Sequence, residues 1–520
     1  MRWPLEVVLF VAPAFGYLHL PLHRRLADIG RDSDVEFAHV AQKRLVLPES
    51  DANERFVPKD DPLSDDDATG IRIQAVDERA CQSGSRQLTG HVNVTSHKSL
   101  FWWFHASRRD PKNDPLIIWL NGGPGSSSFI GAFTELGPCL VNKDGMNTTN
   151  NPHSWTNFAN VIFVDQPAGV GFSTVSNNSY LVYTADAAAA DFSTFMRRLF
   201  KHALPEYASH KIHLIGESFA GIYNPSILTK ILDQQRGLAE IGLPDPFPKI
   251  ESVVLADALV DWQSTGLGIY KTVCVSRPDE TGVKEDIYTE IQCRNISSMA
   301  SDCERIGSEC RLSYDRLTCT GAMDACSMMQ DPFFELMAKG ERSPYDMRLG
   351  CPDRQSCTEA ATEPMNKYLN DPNTLSLLGL PPTTKYKDTN LEMNDRWSQW
   401  GFDVAIPTVG KIGRLLEETD IRLLAFNGNS DFLVPSEGTV EWMKLVPWAG
   451  NGEFRARDLE PWYYVGDDKK KAKGGLRKAT KDGRFVFAGI DLAGHMAPGD
   501  QPAAVEQLVK AWVEGTVLSL

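Results

Sequence analysis

Six short apolar runs, set apart from one another along the chain, constrain the fold more than any other feature of the sequence. Helical patterns at residues 184–202 and 225–235 lie between some of these runs. Apolar runs that alternate with helices indicate a mainly parallel sheet covered by helices on both faces. Residues 87–107 are rich in β-forming residues and are predicted to add antiparallel edge strands. The six runs are residues 115–121, 160–165, 211–216, 250–256, 421–427 and 484–492.

The sheet pattern stops between about residues 262 and 395, and eight of the ten cysteines lie in that interval. We interpret the interval as a disulfide-rich, largely helical cap that is inserted into the sheet. Because apolar runs resume after it, residues 68–520 are expected to form one domain with the cap as an insertion. No internal repeat is visible in the sequence.

Charge and hydropathy exclude two classes of partner. The 520 residues include 53 Lys and Arg against 68 Asp and Glu, which gives a formal net charge of −15. Such a charge does not attract phosphate backbones, so no nucleic acid is expected as a partner. No apolar run reaches the roughly 18 residues that a bilayer requires, so no membrane partner is expected. A basic stretch at residues 469–481 is interpreted as a solvated hairpin tip. Neither a metal ion nor a cofactor is expected.

The first residues and the cysteines predict the compartment. Residues 1–16 combine Arg2, an apolar stretch and small residues near its end, which is typical of a signal peptide, although Glu6 interrupts the stretch. The alternative is a frayed cytosolic terminus. An even cysteine count without paired Cys-x-x-Cys motifs favours disulfides over zinc, and disulfides imply an oxidising compartment. We therefore predict the secretory pathway, with secreted and vacuolar destinations both open.

Residues 17–67 are charge-rich and have no hydrophobic periodicity. They are predicted to be an N-terminal extension or propeptide, with Arg24-Arg25 and Lys43-Arg44 as candidate processing sites. An arm that wraps the surface of the domain is the alternative. Four Asn-x-Ser/Thr sequons agree with secretion. The predicted glycosylation sites are Asn93, Asn147, Asn177 and Asn295.

A candidate nucleophile lies where an apolar run at residues 211–216 leads into Gly-Glu-Ser-Phe-Ala-Gly and then into a helical pattern. A Gly-x-Ser-x-Gly elbow has this strand, turn and helix context, so the sequence predicts an α/β-hydrolase fold with Ser218 at the turn. Ala220 stands where the strict pattern has glycine, but Gly216 and Ala220 are both small enough for the turn to close. On this fragment alone, the alternative is a buried serine that caps a helix.

An activated serine needs a general base and a carboxylate that orients the base, and α/β-hydrolases supply them in the chain order Ser, Asp, His. Asp431 follows the apolar run at residues 421–427, and His495 follows the run at residues 484–492. Positions after strands are where the active sites of open α/β sheets gather. Singly, each residue reads as a turn aspartate or a surface histidine; together with Ser218, they predict a catalytic triad.

A glycine-rich turn at residues 121–125 follows the first apolar run. Such a turn is predicted to present backbone N–H groups to a developing oxyanion. A phosphate-binding loop is the competing interpretation, but the lysine and the glycine spacing of a P-loop are missing.

Five motifs carry a resemblance to a known family: WLNGGPGSSS at residues 119–128, ELGP at 135–138, VDQPAGVGFS at 164–173, GESFAG at 216–221 and AGHMAP at 493–498. Together they resemble the serine carboxypeptidase family, peptidase S10. The resemblance extends from about Cys81 to the C-terminus. Ser126 and the Gly-Pro-Cys that ends at Cys139 look most like the fungal carboxypeptidase S1 branch.

This resemblance implies a serine carboxypeptidase, which releases C-terminal amino acids from peptides and proteins through an acyl-enzyme intermediate. Ser218 would attack the last peptide carbonyl, His495 would transfer the proton, and Asp431 would hold the imidazole. The N–H groups of Gly123 and Phe219 would form the oxyanion hole.

The resemblance also implies which residues bind the free carboxylate of the substrate. They are Asn121, Glu135 and Glu217, with the Trp119 indole as a further donor. Carboxyl groups a few ångströms apart raise one another's pKa, so at acid pH two glutamates can carry protons and donate hydrogen bonds. An acidic pH optimum is therefore expected.

Cysteine spacing alone leaves the disulfide pairing open. The family resemblance implies five disulfides, which are Cys81–Cys139, Cys274–Cys293, Cys303–Cys326, Cys310–Cys319 and Cys351–Cys357.

Two other functions stay open at this point. One is an acyltransferase that passes the same acyl group to an acceptor other than water, and the other is a non-catalytic peptide-binding relative, against which the intact triad argues. The sequence also departs from the family pattern in places. Ala256-Asp257 stands where Gly-Asn is usual, which puts the fine-tuning of substrate recognition in question. Phe219 and Ile222 replace the commoner Tyr and His.

Overall fold

The structure is a computed structural model in which residues 68–275, 282–283, 286–351, 362–400 and 404–520 are described. The predicted signal peptide, residues 1–16, and the predicted extension, residues 17–67, lie outside the described residues. Across the described ranges, no helix is both long enough and apolar enough to cross a bilayer.

Fourteen strands lie in the described residues, and twelve of them form one sheet. Each of the six apolar runs coincides with one of the sheet's strands, with ends that differ by no more than two residues. The strands are β1 (Ile71–Ala75), β2 (Gln87–Asn93), β3 (Lys98–His105), β4 (Leu116–Leu120), β5 (Cys139–Val141), β6 (Thr148–Asn150), β7 (Asn160–Val164), β8 (Thr174–Val175), β9 (Ile212–Glu217), β10 (Ile250–Ala256), β11 (Arg422–Gly428), β12 (Glu460–Val465), β13 (Lys471–Ala479) and β14 (Phe485–Ile490).

The centre of the sheet is parallel, in the spatial order β7-β4-β9-β10-β11-β14. Antiparallel strands extend it on both sides, with β3, β2 and β1 beside β7, and β13 and β12 beside β14. In β4, Leu116, Ile118 and Leu120 pack into one apolar core, whereas Ile117 and Trp119 pack into a second. Successive side chains of a strand point to opposite faces, so each face of the sheet has its own core.

Helices cover both faces, so the predicted mainly parallel sheet between two helical layers is confirmed. The α-helices of the described residues are α1 (Phe129–Thr134), α2 (Ala185–Arg198), α3 (Ala220–Glu240), α4 (Trp262–Cys274), α5 (Glu290–Ser313), α6 (Arg316–Ser327), α7 (Asp331–Ala338), α8 (Glu363–Leu369), α9 (Pro372–Leu377), α10 (Leu391–Trp400), α11 (Val409–Glu418), α12 (Ser436–Leu445), α13 (Asn451–Ala456), α14 (Ala497–Asp500) and α15 (Pro502–Val513). One core takes residues from α2, α3, α11 and α12, and the other from α1, α8, α9 and α15.

Helix α3 begins at residue 220, five residues before the helical pattern in the sequence begins. That pattern starts at Pro225, which lies inside the helix. Proline lacks an N–H, so the carbonyl of Gly221, four residues earlier, loses its usual helical partner. The Thr408 hydroxyl donates to this carbonyl at 2.7 Å instead. A contact distant in sequence therefore allows the helix to start directly after the nucleophile turn.

The interval between β10 and β11 is mainly helical and contains α4 to α11. In it, α5 and α6 form a helical hairpin that two nested disulfides join. The structure contains four of the pairs that the resemblance implied, which are Cys81–Cys139, Cys274–Cys293, Cys303–Cys326 and Cys310–Cys319. Cys351 is also disulfide-bonded; Cys357, its predicted partner, lies outside the described residues.

The basic stretch at residues 469–481 is more than the solvated hairpin tip that we predicted. Most of it is strand β13, which pairs with both β12 and β14. Gly474 and Gly475 are buried within the strand, and a Cβ at Gly475 would lie 2.0 Å from the Gly489 carbonyl oxygen. Lysines are common on strands near a sheet edge, so charge alone did not distinguish this strand from a loop.

Candidate active site

Ser218 occupies the sharp turn between β9 and α3, with a backbone φ of 61°. This left-handed conformation is uncommon for a residue other than glycine and is typical of a nucleophile elbow. The Ser218 N–H donates to the Ala256 carbonyl at 3.0 Å, and the Ser218 carbonyl accepts from the Leu259 N–H at 3.0 Å. These bonds fix the turn against the segment that follows β10. Ser218 is partly exposed, whereas Glu217 and Phe219 on either side are buried.

The small residues around Ser218 have a steric explanation. A Cβ at Gly216 would lie 2.6 Å from the Cβ of Ala220 and 2.8 Å from the Leu120 carbonyl oxygen. Both distances are too short for real side-chain contacts, so the turn closes only if residue 216 is glycine and residue 220 is small. The motif therefore tolerates alanine at position 220.

His495 and Asp431 form a buried hydrogen-bonded pair. The Nδ1 atom of His495 lies 2.7 Å from Oδ2 of Asp431, and both side chains are almost fully enclosed. The other Asp431 oxygen, Oδ1, accepts from the N–H groups of Leu433 at 2.8 Å and Val434 at 3.2 Å. Burial raises the pKa of Asp431, while His495 and these two amides oppose that effect. With Nδ1 directed at Asp431, Nε2 is the ring nitrogen left to act as a base.

The strand register brings these loops to one edge of the sheet. At the carboxyl end of β10, Ala256 pairs with Glu217 of β9 and with Phe426 of β11, and Phe426 pairs with Ala488 of β14. Residues that follow parallel strands meet at the same edge. Ser218, Asp431 and His495 each follow one of these strands, so the structure places all three predicted triad residues at this edge.

The glycine-rich turn packs directly against the elbow. A Cβ at Gly122 would lie 2.3 Å from the backbone nitrogen of Phe219 and 2.9 Å from the Cβ of Ser218. Only glycine permits this approach. Gly123, the predicted oxyanion donor, follows with a left-handed φ of 108°, so a side chain at that position would strain the backbone as well.

Sequence reasoning assigned no role to Asp165, which accepts hydrogen bonds from residues shortly after the glycine-rich turn. Its Oδ1 accepts from the Ser127 hydroxyl at 2.5 Å and its Oδ2 from the Phe172 N–H at 2.8 Å. The Tyr386 hydroxyl donates to Ser127 at 2.8 Å and extends the network. Burial raises the pKa of Asp165 to about 7. The signal that was available is the position of Asp165 within the VDQPAGVGFS motif.

Asn121 connects the glycine-rich turn to the elbow glutamate. Its Nδ2 donates to Oε1 of Glu217 at 3.0 Å. Its Oδ1 accepts from the Trp119 indole N–H at 2.7 Å and from the Gly131 N–H at 3.1 Å. Because two donors fill Oδ1, the amide orientation follows from the network, and Nδ2 is the atom that faces Glu217.

The Trp119 indole makes a different contact from the one we predicted. Its indole N–H is already donated to Asn121, and the side chain is fully buried beneath the site. An indole has one N–H, so Trp119 orients Asn121 rather than reaching a substrate carboxylate itself. Sequence reasoning could identify the donor but not its acceptor.

Glu135 and Glu217 are buried, and each carboxyl group affects the pKa of the other. Both oxygens of Glu135 and Oε2 of Glu217 have no hydrogen-bond partner among the described residues. Burial, reinforced by Glu217, raises the pKa of Glu135 well above its ordinary range. Burial also raises the pKa of Glu217, to about 8. The raised pKa values therefore favour the protonated form of both carboxyl groups at acid pH.

Asp257 follows β10 and lies beside the His495–Asp431 pair. Each of the three side chains contributes one nitrogen or oxygen atom to a cluster, and these three atoms lie within 4.8 Å of one another. Within this cluster, His495 Nδ1 and Asp431 Oδ2 form a side-chain hydrogen bond of 2.7 Å. The signal in the sequence was the departure at Ala256-Asp257, to which we attached no chemistry.

The predicted glycosylation sites differ in accessibility. Asn147, Asn177 and Asn295 are exposed. Asn93 lies half-buried in β2, where a Cβ at Gly70 would come within 2.5 Å of its Nδ2. Three of the four sequons are therefore accessible on the folded surface.

Comparisons with known proteins agree with the family resemblance seen in the sequence motifs. The family model described as serine carboxypeptidase matches residues 79–515. Carboxypeptidase Y homolog A of Talaromyces stipitatus is 32% identical over 453 residues, which cover 86% of this chain and 76% of the relative. Carboxypeptidase Y homolog A of Chaetomium globosum is 32% identical over 448 residues, which cover 86% and 75%. Since both names refer to carboxypeptidase Y, the S1 branch stays a prediction.

A solved structure shows the same fold. It is the crystal structure of Kex1(Δ)p, a prohormone-processing carboxypeptidase from Saccharomyces cerevisiae, which matches with a TM-score of 0.70 at 21% identity. The match covers 85% of this chain and 95% of that chain. The α/β-hydrolase fold is thereby confirmed, and the family model extends over most of the chain. This chain belongs to the serine carboxypeptidase family.

Proposed function

We propose that this serine carboxypeptidase uses Ser218 as nucleophile, His495 as general base and Asp431 as the group that orients the imidazole. The observation that carries the proposal is the 2.7 Å bond between His495 and Asp431 at the edge of the sheet where the elbow lies. Asp431 fixes the tautomer with hydrogen on Nδ1, so Nε2 can take the Ser218 proton as the hydroxyl attacks the last peptide carbonyl. The same proton then passes to the leaving amino acid, and water hydrolyses the acyl-enzyme.

The oxyanion that forms during attack would be held by the N–H groups of Gly123 and Phe219. Phe219 directly precedes α3, a helix of 21 residues, whose N-terminal end favours negative charge. The packing of Gly122 against the Phe219 nitrogen supports this role, because it places the two donor segments side by side.

The substrate's free carboxylate would bind to Asn121, Glu135 and Glu217, with Trp119 orienting Asn121. Two neutral carboxyl groups attract a carboxylate as hydrogen-bond donors, whereas two ionised groups repel it. The raised pKa values of both glutamates support an acidic pH optimum, because protonation at acid pH gives the binding form.

We also propose a route through the secretory pathway, to a secreted or vacuolar destination. The disulfides of the described residues and three exposed sequons support an oxidising compartment. Residues 1–16 would be a signal peptide, residues 17–67 an extension or propeptide, and residues 68–520 the catalytic domain with its cap at about 262–395.

The test compares blocked dipeptides that have a free C-terminal carboxylate with the same dipeptides amidated at that end. We expect release of the C-terminal amino acid only from the free acids, more efficiently near pH 5 than near pH 8. Ser218→Ala should abolish release and labelling by a serine-directed fluorophosphonate. Product formation only after an alcohol or amine is added would instead favour the acyltransferase. Equal turnover of acids and amides would contradict the carboxylate site but not the triad.

A further inference from the structure

We propose that Asp257 is a positioning residue for the reaction, a second buried carboxyl group that shares a proton with the Asp431–His495 pair and sets how readily His495 accepts the proton of Ser218. The inference rests on the proposed roles of Ser218, His495 and Asp431. It adds a residue from a neighbouring strand that acts through the imidazole and not on the substrate.

The backbone holds Asp257 rigidly at this place. Its φ is 45°, in the left-handed region that is uncommon for residues other than glycine. Its N–H donates to the Phe426 carbonyl at 2.8 Å, and its Oδ1 accepts from the Gly428 N–H at 2.7 Å. Phe426 and Gly428 belong to β11, the strand that leads to Asp431. The residue before it, Ala256, accepts the N–H of Ser218 at 3.0 Å. Asp257 therefore bridges the nucleophile turn and the strand that leads to the triad acid.

The second oxygen of Asp257 is not engaged. Asp257 is fully buried, and Oδ2 has no hydrogen-bond partner among the described residues. A buried acceptor without a donor costs free energy, and a proton on the carboxyl group lowers that cost because a neutral acid is desolvated more easily. Structural carboxylates are usually held by several donors, so an enclosed carboxyl with a single donor suits a group that exchanges a proton.

The number of hydrogen-bond donors at each of the two aspartates decides which one is ionised. Asp431 accepts from three donors, namely His495, Leu433 and Val434, whereas Asp257 accepts from Gly428 alone. Hydrogen bonds to a carboxylate favour its charged form, so Asp431 keeps the charge and Asp257 holds the proton. Burial, followed by the nearby Asp431, raises the pKa of Asp257 well above its ordinary range, which agrees with this assignment.

Other ionisable groups face the same region, and they set the limits of the effect. The charges that act on Asp257 are those of Asp431, Glu217 and Glu135. Tyr345 packs edge-on to the His495 ring at 5.6 Å. Asp500, in α14, contacts Arg348 at 3.7 Å and raises the pKa values of Glu135 and Glu217. Asp431 in turn raises the pKa of Asp500. In the described residues, the cluster of atoms within 4.8 Å of one another consists of Asp257, Asp431 and His495, and no other carboxyl group belongs to it.

The consequence for catalysis has a definite sign. A carboxyl group that can ionise beside an imidazole favours the protonated imidazolium, and an amide of the same shape cannot do so. Asp257 holds the proton while His495 is neutral, but it can lose that proton when His495 gains one. The resulting carboxylate beside the imidazolium makes His495 a stronger base, at the cost of keeping it protonated and inactive to a higher pH. Removing the ionisable carboxyl group should move the acid limb of the pH profile to lower pH and reduce the plateau rate.

The experiment measures the rate at which a neutral fluorophosphonate labels Ser218 as a function of pH, in the full-length protein and in Asp257→Asn. Labelling needs His495 but no substrate carboxylate, so it is independent of Glu135 and Glu217. We expect the acid limb of Asp257→Asn to shift down by about half a pH unit or more, with a plateau several-fold lower. Asn keeps the acceptor for the Gly428 N–H; should it not fold, Asp257→Ser supplies a smaller acceptor for the same measurement.

Asp261→Asn is the matched control. Asp261 is a buried acid four residues further along the same connection, where it caps α4 through a 3.0 Å bond from the Ser264 N–H. Its substitution replaces the same carboxyl group by the same amide and should leave the acid limb in place. A limb that stays fixed in Asp257→Asn, or moves to higher pH, overturns the proposal, and a lower plateau alone would indicate a merely structural residue. If Ser218 were not labelled at all in the unmodified protein, the proposed triad would fail instead.

Discussion

The Nδ2 atom of Asn121 lies 3.0 Å from Oε1 of Glu217, although 96 positions separate the two residues in sequence. The bond joins the glycine-rich turn to the residue just before the nucleophile. It uses one oxygen of Glu217 and leaves Oε2 without a hydrogen-bond partner among the described residues. The site therefore combines a positioned amide with two buried carboxyl groups whose pKa values are raised.

Glu217→Gln tests whether protonation of this pair controls substrate binding. In the unmodified enzyme, KM for peptides should rise as pH passes through about 8, where Glu217 ionises. Glutamine cannot ionise, so the variant should bind more weakly at acid pH, by about tenfold, yet lose this pH dependence. KM values from about pH 5 to pH 9 with a blocked dipeptide measure the effect. A carboxylate-free ester is the control substrate, and a KM in Glu217→Gln that still rises with pH would contradict the prediction.

Trp119→Phe removes the donor that orients Asn121 and keeps the aromatic volume. We expect KM for peptides to rise by about tenfold with kcat changed much less, because one buried hydrogen bond in the binding site is lost. Steady-state kinetics measure both constants. Trp103→Phe is the control, since the buried Trp103 indole N–H has no partner in the described part of the chain. Equal effects of the two substitutions would refute the orienting role of Trp119.

The protonated glutamates also predict how stability depends on pH. The pKa of Glu217 is raised from 4.5 to about 8 in the folded state, so the folded protein keeps a proton that the unfolded chain releases. Its contribution to stability is full below pH 4.5 and is lost as pH rises towards about 8. The free energy of unfolding should therefore fall over that interval. Denaturant unfolding of the unmodified protein and of Glu135→Gln/Glu217→Gln measures this. The double variant should show a shallower fall, and parallel curves would rule the effect out.

Gly122→Ala tests the close packing of the glycine-rich turn on the elbow. The added Cβ would lie 2.3 Å from the Phe219 nitrogen, so the turn must move away from the oxyanion site. We expect kcat to fall by about 10²-fold or more, because an oxyanion donor displaced by even a small distance loses most of its effect. Gly237→Ala is the control, since nothing lies within 4 Å of its added Cβ. That helical change should leave kcat intact and raise stability by about 0.5–1 kcal/mol.

The two nested disulfides of the cap should contribute unequally to stability. Cys303–Cys326 closes 23 residues, whereas Cys310–Cys319 closes 9. A longer closed loop restricts the unfolded chain more, so replacing the outer pair by serine should cost about 3 kcal/mol and the inner pair somewhat less. Thermal unfolding of the two double-serine variants gives the comparison. A larger loss from the inner pair would show that packing around Cys310 and Cys319 outweighs chain entropy.

Local sequence was enough to predict the parallel sheet and the sharp turn at Ser218. Buried parallel strands need apolar side chains on both faces, and the turn at Ser218 needs small residues at 216 and 220, so both leave a trace in a few consecutive residues. The start of α3 was missed because Thr408, far along the chain, satisfies the carbonyl that Pro225 leaves free. Strand β13 was missed because its lysines resemble those of a loop.

What the sequence determined by itself is which chemical groups are present, on which elements, and therefore the family. The tertiary structure decided which of those groups touch. In the folded chain, the Trp119 N–H donates to Asn121, and Asp257 is buried beside His495. Hydrogen-bond partners and proton affinities depend on distances and on exclusion of water, and both arise only when strands distant in the chain pack into one sheet.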